Sequence, residues 1–200
     1  MNLAICQRCG NQVQRHDLVH YTVESGSQEL CTRCFNTEVA ERTGVDNFDN
    51  HAIDPISLKD VAGVSHTFHF RTRLMGADMV VLEAFELEGS TPSGYRIQMV
   101  AIPEEDRFTH LGRLVQKIRR SLAVGYLADT VHGLQIKDME VHGLIEADLS
   151  DEADLLDPRA PMLIIDGRDV TWEEFGHMLM SFEGYQFKLH IKDPSDDLNS

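Results

Sequence analysis

The chain has 200 residues, 42% of them hydrophobic, and its 33 acidic and 18 basic side chains give a net charge of −15. This hydrophobic content is close to that of globular proteins, so most of the chain should be folded, and the length suits one generous domain or a small module followed by a medium one. The negative charge disfavours nucleic acid as a partner, because phosphate backbones repel the chain as a whole.

The sequence carries no visible membrane or export signal. No apolar run approaches the ~20 residues of a membrane-spanning helix, and no basic region followed by a long apolar stretch opens the chain. We therefore expect a cytoplasmic protein without membrane association. In a reducing cytosol, cysteines are better interpreted as metal ligands than as disulfides.

All four cysteines fall in two C-x-x-C pairs, Cys6 with Cys9 and Cys31 with Cys34. Each pair makes a tight turn that directs two thiolates at one ion, and two such turns complete a closed tetrahedral site with Zn–S distances of about 2.3 Å. The spacing therefore predicts one structural Zn²⁺ per chain, bound by all four cysteines. Four thiolates also suit iron or an iron–sulfur cluster, and that alternative stays open.

The residues around the cysteine pairs predict a small fold. The β-prone segment 18–23, a turn at 25–27 and Glu29-Leu30 form a hairpin, and residues 35–42 form a helix that ends near Gly44. Residues 5–43 therefore resemble the treble-clef zinc-finger superfamily, in which a knuckle, a hairpin and a second knuckle at the start of a helix follow in this order. The resemblance implies a fold and a metal but no function, because treble clefs serve in nucleic-acid binding, protein binding and purely structural roles.

We predict an α+β protein: a four-cysteine treble-clef-like module (1–43), a polar linker (44–57), an α+β domain (58–193) and a flexible tail (194–200). The domain is expected to have a mainly antiparallel sheet and two main helices. Its first strands, predicted at 66–73, 79–87 and 95–102, are joined by short turns and favour an antiparallel meander.

A first long helix is predicted after the start signal at 103–106, because apolar residues recur at helical spacing up to Leu122. A strand at 162–165, a turn at 166–167, a helix with a Thr171/Glu174 capping box and an alternating strand at 185–191 complete the domain. Residues 146–157 hold six acids and no base, which predicts an exposed loop.

Candidate sites outside the cysteines are weaker. Val131–Leu134 and Val141–Leu144 share the sequence Val-His-Gly-Leu, which favours two adjacent strands. Alternatively, His132 and His142 could meet as ligands or as a general base. Glu86 and Glu88 share a strand face, where solvated carboxylates are commoner than a catalytic pair.

The sequence contains no P-loop, dinucleotide fingerprint, nucleophile elbow or zinc-protease motif. We therefore predict a zinc-stabilised protein-interaction or regulatory protein without catalysis, whose partner is another protein. One alternative is a nucleic-acid-binding protein that uses the finger and the basic helix at 107–120. Another is an enzyme of unrecognised type, which predicts a pocket of convergent polar groups that includes His132 and His142.

Overall fold

The chain runs from a cysteine-rich module through a four-stranded sheet to a smaller three-stranded sheet. The computed structural model describes residues 3–23, 26–46, 48–147 and 161–193. The N-terminal module contains β1 (Leu3–Ile5), β2 (Gln12–Gln14), β3 (Leu18–Val23), β4 (Gly26–Cys31) and α1 (Thr32–Thr43). The main sheet contains β5 (Ile56–Lys59), β6 (Ser65–Leu74), β7 (Val80–Glu88) and β8 (Thr91–Ala101), followed by α2 (Arg107–Leu122). The C-terminal part contains β9 (Leu127–Thr130), β10 (Gly133–Ile136), β11 (Leu144–Ala147), β12 (Pro161–Ile165), β13 (Arg168–Thr171) and α3 (Trp172–Leu179).

The predicted α+β class is confirmed, since all strand pairs among the described residues are antiparallel. In the module, β1 pairs with β2 and β3 pairs with β4, so the predicted hairpin is present. Ser25, assigned to its turn, lies outside the described residues. The helix α1 ends as expected at Gly44, whose φ of 72° is left-handed and whose N–H donates to the Ala40 carbonyl.

The main sheet is a meander in the order β5-β6-β7-β8. The three predicted strands are confirmed, but a fourth, β5, begins at Ile56, inside the stretch predicted to be a linker. Ile56 lies opposite the buried Phe68 of β6, and both belong to the hydrophobic core. Residues 56–59 are therefore a strand because two apolar side chains, Ile56 and Leu58, find a neighbouring strand and a core.

The helix α2 covers the main sheet, as its periodicity predicted. The Asp106 side chain caps its first turn by accepting a hydrogen bond from the Thr109 backbone N–H. Leu114, Ile118 and Leu122 lie on one face and are buried against the sheet. Burial of this apolar face is the main source of the helix's stability.

One hydrophobic cluster joins the cysteine module to the main sheet. It contains Leu30 and Phe35 of the module together with Phe68 and Leu82 of the sheet. At the centre of this contact lies Asn36 of α1, which is only 1% exposed. The module therefore shares a core with the chain that follows it, while the domain boundaries predicted at residues 43 and 57 stay predictions.

A second, smaller cluster holds the C-terminal part. Leu163, Ile165, Val170 and Met178 are buried there. The capping box predicted at Thr171 is present: its hydroxyl accepts from the Glu174 N–H, and the Glu174 carboxylate accepts from the Thr171 N–H. The local sequence was sufficient for this prediction because both hydrogen bonds lie within one helical turn.

The prediction that the two Val-His-Gly-Leu segments form adjacent strands is wrong. The first segment enters β10 at Gly133, and β10 pairs with β9. The second enters β11 at Leu144, and β11 pairs with β12. The two strands thus belong to different sheets, because pairing follows the hairpin at 130–133 and the position of β12 rather than local sequence similarity.

The strand predicted at 185–191 is not formed. The segment has no strand pairing, and its apolar residues Tyr185, Phe187, Leu189 and Ile191 are exposed. An alternating pattern makes a stable strand only where a neighbour completes its backbone hydrogen bonds. Residues 148–160, most of the predicted acidic loop, and the predicted tail at 194–200 lie outside the described residues.

The turn between β12 and β13 gives a matched glycine test. Gly167 has a φ of 70°, and an added Cβ would lie 2.7 Å from Cδ2 of Tyr95. We expect Gly167→Ala to lower the free energy of unfolding by about 2 kcal/mol, through both backbone strain and this contact. Gly176→Ala, within α3 and with open space around its Cβ, should instead raise it by up to ~1 kcal/mol. Urea unfolding measures the free energy of unfolding of both variants. Equal changes for Gly167→Ala and Gly176→Ala would contradict the left-handed backbone and the close contact at Gly167.

Candidate metal centre

The first cysteine pair lies in a tight turn between β1 and β2. The Cys6 N–H donates to the Asn11 carbonyl at 3.0 Å, and the Gly10 N–H donates to the Cys6 carbonyl at 2.9 Å. Gly10 has a φ of 72°, a conformation that a glycine adopts without steric cost. These bonds turn the chain so that Cys6 and Cys9 face the same point.

The second pair lies where β4 passes into α1. Cys31 is the N-cap residue of α1, and Cys34 lies in the first turn of the helix. The Cys31 N–H donates to Sγ of Cys6 at 3.2 Å, which joins the two pairs directly. Turn, hairpin and helix thus occur in the predicted order, although membership of the treble-clef superfamily stays a prediction.

The four sulfur atoms lie within 4.8 Å of one another. Ligands at the usual Zn–S distance around a tetrahedral ion are separated by about 3.8 Å, so this spacing fits one metal ion. Cys6 and Cys31 are buried, whereas Cys9 is exposed. The four cysteines are therefore positioned to hold a metal ion, with thiolates as the complete ligand set.

The thiols differ in acidity. Burial by itself raises the pKa of Cys6, but hydrogen bonds from the backbone N–H groups of Cys31, Cys9 and Arg8 outweigh it and lower the pKa to about 6. Burial, reinforced by the neighbouring thiols, raises the pKa of Cys34, and burial also raises that of Cys31. Burial thus opposes the ionised form of Cys31 and Cys34, and a bound cation would offset this cost and release their protons.

Ion pairs secure the first turn to α1. The Arg8 guanidinium lies 2.9 Å from carboxylate oxygens of both Glu38 and Glu41, and Glu38 also pairs with Arg42 at 2.8 Å. These pairs neutralise two of the arginines that the nucleic-acid alternative would use.

The two histidines between the cysteine pairs do not join the sulfur cluster. The sequence predicts both His16 and His20 to be surface residues of the hairpin, and His20 is exposed beside Glu29. His16 differs from that expectation: its ring packs edge-on against Phe85, and its Nδ1 lies 3.3 Å from the Ser90 carbonyl oxygen. His16 thus contributes to the contact between the module and the main sheet.

Among the weaker candidates, His132 and His142 have different surroundings. The ring of His142 lies between the Tyr126 hydroxyl and Glu140, with both polar contacts at 2.9 Å. His142 lines a cavity beside α2, whereas His132 is exposed and is not among the residues that line it. His142 therefore lines a pocket with polar groups, as the enzyme alternative predicts, whereas His132 does not.

The candidate carboxylates Glu86 and Glu88 also have different roles. Glu86 accepts a hydrogen bond from the Tyr95 N–H at 2.9 Å and contacts Nδ1 of His66 at 3.0 Å. Glu88, at the end of β7, is exposed. The expectation that both carboxylates are solvated is therefore met by Glu88 and not by Glu86. A bulge between Phe85 and Glu86, which the sequence did not reveal, alters the register of the sheet at this point.

Three family models match consecutive parts of the chain. A domain of unknown function (DUF7685) matches residues 5–46, a second (DUF7686) matches residues 50–123, and a third (DUF7713) matches residues 126–196. No curated protein and no solved structure matches the chain. Across the described part of the chain, no helix has the length and apolar character to cross a membrane.

Proposed function

We propose that this chain is a non-catalytic protein-binding protein whose N-terminal module is held together by one structural Zn²⁺. Cys6, Cys9, Cys31 and Cys34 would bind the ion as thiolates. Zinc suits four sulfur ligands in a closed site, and a site with four protein ligands leaves no open position for a substrate. The ion would supply folding free energy rather than chemistry.

The protein-binding part of the proposal is carried by one observation, the exposure of the segment Tyr185–Ile191, here called the C-terminal apolar segment. Phe187 is 92% exposed, and Tyr185, Leu189 and Ile191 are each more than half exposed. Large apolar side chains exposed in sequence at alternating positions are typical of a surface that another protein covers.

The pattern of the C-terminal apolar segment indicates how it would bind. Polar residues Gln186, Lys188 and His190 alternate with the apolar ones, so an extended chain presents one apolar and one polar face. Such a segment can add itself to the open edge of a partner's sheet, where main-chain hydrogen bonds give affinity and alternate side chains give specificity. We therefore expect a protein partner with an accessible strand edge.

The ion pairs of the module and of α2 argue against nucleic acid as the partner. Arg8 and Arg42 pair with acidic residues of α1, and Arg107 and Arg113 of α2 pair with Asp49 and Glu105. Phosphate groups would have to compete with these carboxylates on a chain of net charge −15. These observations favour protein over nucleic acid.

Site-specific photo-crosslinking tests the proposal. A photoreactive phenylalanine analogue at position 187, introduced in the native host, should form one discrete adduct with a protein identified by mass spectrometry. Position 131 is the matched control, because Val131 is 96% exposed but lies outside the segment. Leu189→Asp should remove the adduct at 187. An identical pattern at 131 and 187, or no adduct at 187, would contradict the proposal.

A further inference from the structure

Two histidine rings, one from the module and one from the main sheet, meet at the ring of Phe85. His16 lies in the short 3₁₀ turn Arg15–Asp17 of the module, and its ring packs edge-on against Phe85 with 5.6 Å between ring centroids. The His69 ring of β6 lies 6.3 Å from Phe85, with 24° between the ring planes. The centroids of the two histidine rings are 6.4 Å apart. His16 and His69, here called the histidine pair, therefore link the module to the main sheet through two groups that can gain a proton.

An arginine lies close to the histidine pair. The Arg71 guanidinium donates a hydrogen bond to the His16 carbonyl and lies 5.5 Å from the centroid of the Phe85 ring. Nδ1 of His16 lies 3.3 Å from the Ser90 carbonyl oxygen, which fixes the orientation of the ring. A guanidinium stays charged at any physiological pH. A proton gained by the His16 ring would therefore bring a second positive charge close to Arg71.

The carboxylates on this face of the sheet are already engaged by arginines. Residues directly opposite each other on paired strands share a face. Arg71 lies opposite Glu83, and Arg96 lies opposite Phe85. The ion pairs on this face are Arg71 and Arg73 with Glu83, and Arg96 with Glu146 and Asp169. Each of these carboxylates therefore already compensates an arginine.

The histidine pair has no acidic partner of its own. In the described part of the chain, the histidines that form ion pairs with carboxylates are His20, His51, His66, His110 and His142. His16 and His69 are not among them. In the turn itself, Arg15 and Asp17 flank His16 with opposite charges, and Glu88 ends β7 in an exposed position. Protons gained by the histidine pair would therefore add net positive charge to this contact.

We propose that the histidine pair is a pH switch, which holds the cysteine module on the main sheet while both rings are neutral and loosens it when they gain protons. Two charged imidazoles beside Arg71 would repel one another, and repulsion between like charges is stronger where water is partly excluded. Histidine changes its charge between about pH 5 and 8. Mild acidification would therefore be the signal, and it would act on the docking of the module.

The expected direction of the pH effect follows from the burial of the pair. Burial lowers the pKa of His69, and the neighbouring His16 lowers it further. The folded protein therefore binds fewer protons than the unfolded chain below about pH 6.5, the ordinary pKa of histidine. Because acid favours the state that binds more protons, the free energy of unfolding should fall as the pH drops from about 6.5 to the folded pKa of His69.

An NMR titration of the histidine rings in the full chain tests the coupling within the pair. We expect the pKa of His69 to lie below the ordinary value of about 6.5. His16→Gln should raise the pKa of His69, because glutamine carries no charge but can still donate to the Ser90 carbonyl. His20→Gln is the matched control, since His20 is an exposed histidine of the same module beside Glu29, and it should leave the pKa of His69 unchanged. A wild-type pKa of His69 at or above the ordinary value, or equal effects of His16→Gln and His20→Gln, would overturn the proposal.

Urea unfolding followed by helical circular dichroism tests the consequence for the module. Between about pH 8 and pH 6, the range in which an ordinary histidine begins to gain its proton, the unfolding equilibrium constant should rise several-fold more in the wild type than in His69→Gln. Acid loss of a metal ion would affect the wild type and His69→Gln alike, so the difference between them reports the histidine pair. His20→Gln should follow the wild type. The same pH dependence in the wild type and in His69→Gln would contradict the switch.

Discussion

Cys31→Ser is expected to abolish metal binding and to unfold the N-terminal module. A serine hydroxyl stays protonated and is a poor ligand for zinc, yet it fits the space of the thiol. The loss of a structural zinc ion should lower the free energy of unfolding by about 5 kcal/mol or more, which is comparable to the total stability of many domains. No other single change in the module should have a larger effect.

The consequences of Cys31→Ser should extend beyond the cysteines. Cys31 is the N-cap residue of α1, and α1 contributes Phe35 and Val39 to the cluster shared with the main sheet. We therefore expect one cooperative loss of helical circular dichroism at a much lower urea concentration. Ser27→Ala, an exposed change on the same strand, is the control and should unfold as the wild type does. If Cys31→Ser unfolded at the same urea concentration as the wild type, the four thiols would not stabilise the module through a metal.

Asn36→Ala is the second change with a large expected effect. The Asn36 side chain donates from Nδ2 to the Thr72 carbonyl at 2.8 Å and to Oδ1 of Asn50 at 2.9 Å. Its Oδ1 accepts from the Leu74 N–H at 2.9 Å. Alanine would leave the N–H of the fully buried Leu74 and the part-buried Thr72 carbonyl without this partner, and we expect a loss of about 3 kcal/mol.

The measurement for Asn36→Ala combines urea unfolding with the zinc content. Because the Asn36 side chain bonds to Asn50, Thr72 and Leu74, and to no cysteine among its described hydrogen bonds, the variant should lose stability but retain its metal. Asn11→Ala is the control, since this asparagine is exposed and should change stability by less than ~0.5 kcal/mol. Loss of zinc in Asn36→Ala would contradict the separation between the metal centre and the docking of the module.

Features fixed by local interactions could be predicted from the sequence. The cysteine spacing, the stop at Gly44 and the Thr171/Glu174 capping box each depend on contacts within a few residues or within one short hairpin. Periodicity likewise identified α2, because the apolar residues of an amphipathic helix recur at helical spacing regardless of which element they pack against.

Features fixed by distant contacts could not be predicted in this way. Asn36 has an ordinary sequence context, and its importance arises from Thr72 and Leu74, more than thirty residues away. The alternation at 185–191 suggested a strand, but the sequence does not show that no neighbour completes it. The cavity beside α2 was also missed, because the residues that line it come from β8, α2 and the C-terminal part and form no local motif.

Elemental mass spectrometry would show whether Cys6, Cys9, Cys31 and Cys34 hold one structural Zn²⁺. The protein would be purified under reducing conditions, from cells grown without added metal, and its metal content compared with the protein concentration. We expect one zinc atom per chain in the wild type and none in Cys31→Ser. Iron in place of zinc, or a metal-free wild-type protein whose cysteines are oxidised in pairs, would contradict it.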